Sequence, residues 1–167
     1  MLTQPDLPIR ADLDLTSLAL QIARDPDRWL PVVRFDEQER WYTRLTVADD
    51  REVWLLTWLP GQRTEIHDHG GSAGAFAVAQ GVLTETTVHA PVDAILPGSQ
   101  VSVSRNEIRS GEVRGFGAHH IHEVTNESDT PAVSVHVYAP SLSTMSRYRV
   151  DDGTLRLLAS ERAGADW

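Results

Sequence analysis

The chain has 167 residues, fifteen basic and twenty-four acidic, with a formal net charge of −9 and no cysteine. That length suits one domain able to bury roughly two thirds of its unfolded surface. The acidic balance argues against nucleic acid or an anionic membrane as the main partner, and the lack of cysteine excludes both a disulfide framework and a thiolate metal site. The start, Met1-Leu2-Thr3-Gln4-Pro5-Asp6, has neither the basic nor the apolar segment of a signal peptide. The apolar run Val53 to Leu59 is too short to cross a bilayer, so a cytoplasmic location is expected.

Between Asp12 and Leu30, apolar Leu15, Leu18, Ala19 and Ile22 recur at helical spacing, with Asp14 or Thr16 available as a cap and Pro26 as a break. The pattern predicts a helix, then a short second one at about Asp27 to Leu30, covering one side of a sheet. After Pro31 the sequence turns to β-branched and aromatic runs bounded by Gly, Pro, Asn or Asp. The predicted strands are Trp41 to Val47, Glu52 to Leu59, Thr64 to His67, Ala75 to Gln80, Val82 to His89, Gln100 to Ile108, Ile121 to Thr125 and Ala132 to Tyr138. A last pair, Ser146 to Val150 and Thr154 to Leu158, is joined by the hairpin signal Asp151-Asp152-Gly153. So many closely spaced strands indicate a sandwich or barrel. The longest loop, Ala90 to Ser99, is placed to overhang an open barrel mouth, and the tail Arg162 to Trp167 is expected to be mobile in part.

In Gly61-Gln62-Arg63-Thr64-Glu65-Ile66-His67-Asp68-His69, the two histidines stand two apart, so an extended strand presents both imidazoles on one face. That makes half a metal site. An apolar run, Ala75 to Ala79, follows and ends at Gly81. Further on come Gly111 and His119-His120-Ile121-His122-Glu123-Val124-Thr125-Asn126. The first stretch resembles the first motif of the cupin superfamily, and His122 with Asn126 four residues later resembles the end of its second motif. The glutamate usual after the His-x-His pair is replaced by Ala73 and Gly74. The resemblance therefore implies a cupin-type β-barrel (jelly-roll), mainly β, with short N-terminal helices, and a metal held by His67, His69 and His122 without a carboxylate. His120 shares a strand face with His122 and stays open as a ligand on sequence alone, whereas His89 and His119 read as ordinary surface or loop histidines. Three neutral ligands leave the charge of a divalent ion uncompensated, which favours an anionic substrate directly on the metal.

In Val133-Ser134-Val135-His136-Val137-Tyr138, valines occupy one strand face and Ser134, His136 and Tyr138 the other. On a half-solvated strand that row faces water; inside a small barrel it forms a hydrogen-bonding relay. The row resembles the serine, histidine and tyrosine series beside the metal in the cysteine dioxygenase family of cupins. Tyr42-Thr43-Arg44 resembles the family segment whose arginine binds the substrate carboxylate, a pairing that a planar guanidinium suits. Mammalian members carry a cysteine, thioether-linked to the tyrosine, where this chain has Gly74, as many bacterial members do. That crosslink cannot form here, and glycine leaves room beside the metal.

The resemblance spans about Trp41 to Pro140 and implies an Fe(2+)-dependent thiol dioxygenase that uses O2 to oxidise L-cysteine to cysteine sulfinate. Arginine at Arg44 is similar to the cysteine-preferring branch, since relatives acting on 3-mercaptopropionate often have glutamine there. Two other functions compete: a dioxygenase for 3-mercaptopropionate or another small thiol carboxylate, and a non-enzymatic cupin that binds a metabolite. Residues 1–167 are read as one domain, with a small-molecule thiol and O2 as partners, no nucleic acid and no membrane. The sequence leaves oligomeric state open.

Overall fold

Runs rich in β-branched and aromatic residues, each closed by a turn-forming residue, give a structure dominated by short antiparallel strands. The structure is a computed structural model that describes residues 11–48, 51–91 and 95–163. Met1 to Asp6 and residues 164–167 of the tail lie outside the described residues. Helices α1 (Ala11–Ala23) and α2 (Pro26–Trp29) lead through a 3-10 turn, Leu30–Val32, into the strands. These are β1 (Tyr42–Ala48), β2 (Arg51–Trp58), β3 (Ile66–His67), β4 (Ala73–Gln80), β5 (Val82–His89) and β6 (Ser102–Arg109). After them come β7 (Val113–Phe116), β8 (His122–Thr125), β9 (Ala132–Ala139), β10 (Thr144–Asp151) and β11 (Thr154–Arg162).

One sheet runs β1-β2-β9-β4-β7 and the other β11-β10-β3-β8-β5-β6. Their facing sides enclose Trp58, Phe76 and Val78 from the first with Leu83, Ile108 and Val124 from the second. The outer side of the first sheet is covered by α1, whose Leu15, Ala19 and Ile22 pack on Val53, Val135 and Val137. Both faces of β9 are therefore buried, and its alternation separates two interiors rather than protein from water.

The differences from expectation have local causes. The chain is already helical at Ala11, so Asp14 and Thr16 lie inside α1 rather than at its start, while Pro26 opens α2 as a first-turn proline. Strand β7 carries Arg114 and Gly115 and lacks the composition of a strand, yet it pairs with β4 at the sheet edge. The last strand runs on to Arg162, because β10 pairs with it along its whole length. Between β10 and β11 the turn is Asp152-Gly153, both at positive φ (47° and 74°), a conformation that glycine and aspartate tolerate. In the loop after β5, Gly98 N–H donates to Leu155 O and Val101 N–H to Gly153 O. These bonds tie its described part to β11 and the adjoining turn, and none of its described residues lines the cavity described below.

Candidate metal centre and cavity

Strand β3 is two residues long, and His67 within it is paired directly with His122 of β8 on one side and Arg147 of β10 on the other. Cross-strand neighbours project together from one face, which sets the two imidazole centroids 4.8 Å apart. Just after His69 the chain bends at Gly70 and Gly71, with φ of 58° and 92°. A Cβ at Gly70 would stand 2.1 Å from Thr144 Oγ1, so the turn admits glycine alone. The bend leaves the His69 ring 4.9 Å from both His67 and His122. Donor nitrogens of all three histidines lie within 4.8 Å of one another.

The ring orientations are fixed from behind. His67 Nδ1–H donates to the Glu65 carbonyl at 2.7 Å, and His122 Nδ1–H to Glu85 at 2.7 Å, which turns each Nε2 toward the triad. His69 is fully buried, and neither of its ring nitrogens has a hydrogen-bond partner. A buried polar group left in that state is costly unless something else satisfies it. Burial, reinforced by the neighbouring histidines, holds His67 and His69 well below the usual imidazole range. Burial lowers His122 too, against the opposing hydrogen bond to Glu85. Three neutral, converging imidazoles with an orphaned member fit a first-row transition metal, and no carboxylate belongs to the set. His120 is not in this triad; its Nε2–H donates to Glu85 at 3.0 Å.

The relay on β9 is assembled as a chain of contacts. Trp58 Nε1–H donates to Ser134 Oγ at 2.9 Å, and Ser134 lies 2.8 Å from His136 Nε2. Indole can only donate, so the buried serine hydroxyl passes its own proton toward His136 Nε2, and Nδ1–H of that ring points to Tyr138 Oη at 3.4 Å. Burial keeps His136 well below the usual imidazole range and pushes the Tyr138 phenol up, so both are neutral near pH 7. The phenol thus keeps its own proton free to donate. The Tyr138 ring lies 5.5 Å from His69, which puts that donor beside the triad. Asn126, completely buried, donates to Trp58 O and Thr130 O, locking the end of β8 to the end of β2.

A cavity of about 350 Å³ opens onto His67, His122, His136 and Tyr138, and it is also lined by Arg40, Arg63 and Arg147. Two of these cations are engaged: Arg63 with Glu123 at 2.9 Å, and Arg147 with Glu161 at 2.9 Å. Arg40 lies 4.8 Å over the Trp58 ring, and its Nε is buried without a hydrogen-bond partner. Burial lowers its pKa, while nearby Tyr138 and Tyr42 act the other way. Arg44, the arginine singled out from sequence, is exposed, with its guanidinium 5.8 Å from the Trp54 ring, and it is not among the cavity-lining residues. Tyr42 and Arg44 share one face of β1 by parity, and Arg40, two residues before Tyr42, has the same parity in the sequence but precedes the strand. Parity says which side of the sheet they occupy and nothing about how far along the barrel each one sits.

The room expected beside Gly74 is occupied. A Cβ there would meet Phe116 Cζ at 2.5 Å and Val137 O at 2.9 Å, and the Phe116 ring stacks on His69 at 4.5 Å. Gly74→Cys is therefore expected to form no thioether with Tyr138, leaving the intact mass without a loss of two hydrogens. Crowding should also cost about 1 to 3 kcal/mol in denaturant unfolding. A Gly74→Cys protein as stable as the native one would show that Phe116 moves aside freely.

A two-sheet antiparallel barrel with a histidine triad inside one end defines a metal-binding cupin. The same fold, at 18% identity and a TM-score of 0.51, occurs in an uncharacterised Klebsiella pneumoniae protein with a double-stranded β-helix domain, covering 77% of this chain and 92% of that one. The family model for cysteine dioxygenase type I matches residues 9–151, and the chain belongs to that family. Human cysteine dioxygenase type 1 is 31% identical over 125 residues, 72% of this chain and 60% of the human protein. The Danio rerio protein of the same name is 30% identical over 121 residues, 70% of this chain and 59% of that protein. The chain thus spans about 60% of the length of the curated relatives it matches. No helix among the described residues is long and apolar enough to cross a membrane.

Proposed function

We propose that this protein is a cytoplasmic, single-domain thiol dioxygenase that oxidises L-cysteine with O2 to cysteine sulfinate. The observation that carries the reading is one cavity bordered by His67 and His122 of the triad, the Tyr138 phenol and Arg40, whose buried Nε has no hydrogen-bond partner. Both atoms of O2 end on the substrate sulfur, so the reaction needs no external reductant. His67, His69 and His122 would hold a ferrous ion, which supplies open positions for a thiolate and O2 together with one-electron chemistry.

The protein's own groups supply position and charge. Arg40 anchors the substrate carboxylate in place of Arg44, and the Trp58 ring beneath it limits how the guanidinium turns. Ser134 and His136 hold Tyr138 so that its O–H faces the substrate, where it can stabilise negative charge developing on oxygen.

An oxygen-electrode screen of the iron-loaded protein tests this directly, with cysteine, 3-mercaptopropionate and cysteamine as substrates. Cysteine should be consumed fastest; preference for 3-mercaptopropionate would move the substrate to the other thiol carboxylate, and no uptake with any thiol would favour a metabolite-binding cupin. Tyr138→Phe is expected to lower turnover by about 10- to 100-fold and to loosen the ratio of sulfinate formed to O2 consumed, with iron content near native. Unchanged rate and coupling would reduce Tyr138 to a space-filling ring.

A further inference from the structure

Glu85 lies on β5 two residues from Thr87, which pairs with His122, so the carboxylate and the imidazole are diagonal neighbours on the inner face of one sheet. The side chain is buried, and the reaction proposed above has no use for it. One oxygen, Oε1, takes both neighbouring hydrogen bonds: His122 Nδ1–H at 2.7 Å and His120 Nε2–H at 3.0 Å. His120 is held in turn by its flat contact with Phe116, centroids 4.8 Å apart at 16°. Phe116 stacks on His69 at 4.5 Å. Two members of the triad, His69 and His122, are thus backed by one connected set of side chains: Phe116, His120 and Glu85.

We propose that Glu85 is a positioning residue for the metal centre and that His120 is the clamp holding it there. The inference rests on His67, His69 and His122 being the metal ligands. The triad brings no negative charge to a divalent ion, and Glu85 places one a single hydrogen bond behind His122. A carboxylate accepting from Nδ1–H fixes the tautomer that frees Nε2 and makes that nitrogen a stronger donor to metal. The second bond, from His120, keeps Oε1 on the line to His122 when the site is empty of metal.

The test is metal affinity. Native protein, Glu85→Gln, Glu85→Asp, His120→Ala and His67→Ala would be prepared metal-free and titrated with Co2+ against a chelator. The visible d–d bands would be recorded together with the melting temperature of each metal-free protein. Glu85→Gln keeps the shape and removes the charge, and it is expected to bind Co2+ about 10- to 100-fold more weakly with shifted d–d bands and a metal-free melting temperature close to native. Glu85→Asp should recover part of the affinity, and His120→Ala should lose less than Glu85→Gln. Native affinity and native bands in Glu85→Gln would overturn the proposal, as would a loss that only follows a fall in metal-free stability. Should Glu85→Gln not fold, native affinity in both Glu85→Asp and His120→Ala would overturn it equally. A native protein that binds no Co2+, or a His67→Ala protein that binds it as tightly, would instead refute the ligand assignment.

Discussion

Alanine at His67, His69 or His122 is expected to leave less than about one tenth of the native iron after loading and desalting, measured by elemental analysis. The triad offers three protein donors, and no carboxylate belongs to it that could substitute for a lost imidazole. Losing one also opens a void in the buried end of the barrel where its ring stood. His120→Ala provides the contrast, since its Nε2 is turned to Glu85 and it is not one of the three triad donors; at saturating iron that variant should retain most of the metal. If His122→Ala kept full iron while His120→Ala lost it, the third ligand would have to be reassigned.

The second large effect is expected at Arg40. A charge-assisted bidentate pair inside a cavity, truncated on one side, costs about 2 to 5 kcal/mol, much of it from the partner left unpaired. Arg40→Ala should accordingly lower kcat/KM for cysteine by well over tenfold, roughly 30-fold at the lower bound of that range. Arg44→Ala should change it by no more than about twofold, because that guanidinium is exposed over Trp54. Cysteamine has no carboxylate, so its weak turnover should be nearly insensitive to either change. A large loss in Arg44→Ala with little in Arg40→Ala would return the carboxylate to Arg44.

Much of this was open to reading in the sequence, because the signals were periodic. The His-x-His spacing, the alternation in β9 and the turn glycines depend on strand geometry that hardly varies from one protein to another. What escaped reading depends on distance along or across the barrel. Arg40 and Arg44 have the same parity, so a motif match selected the one that lies outside the cavity. Thr84-Glu85-Thr86-Thr87 has the composition of a solvated strand face, yet Thr84 and Glu85 are buried and Glu85 meets two histidines. Phe116 lies on an edge strand whose charged and glycine residues conceal it. Its place against Gly74 could have been suspected only from the missing side chain at position 74, which leaves a gap that something must fill.

The direct pairing of His67 with His122 also bears on folding. A slip of one residue between β3 and β8 would turn one of the two imidazoles to the opposite face of the sheet. A strand of two residues has little ladder of its own to resist such a slip. An ion bound across the pair recognises only the correct register, and at a free concentration 100 times its Kd it would stabilise that register by about 2.7 kcal/mol. The metal centre would then also act as a stitch between the N- and C-terminal halves of the barrel, so that metal supply would set how firmly β10 and β11 are held to the rest.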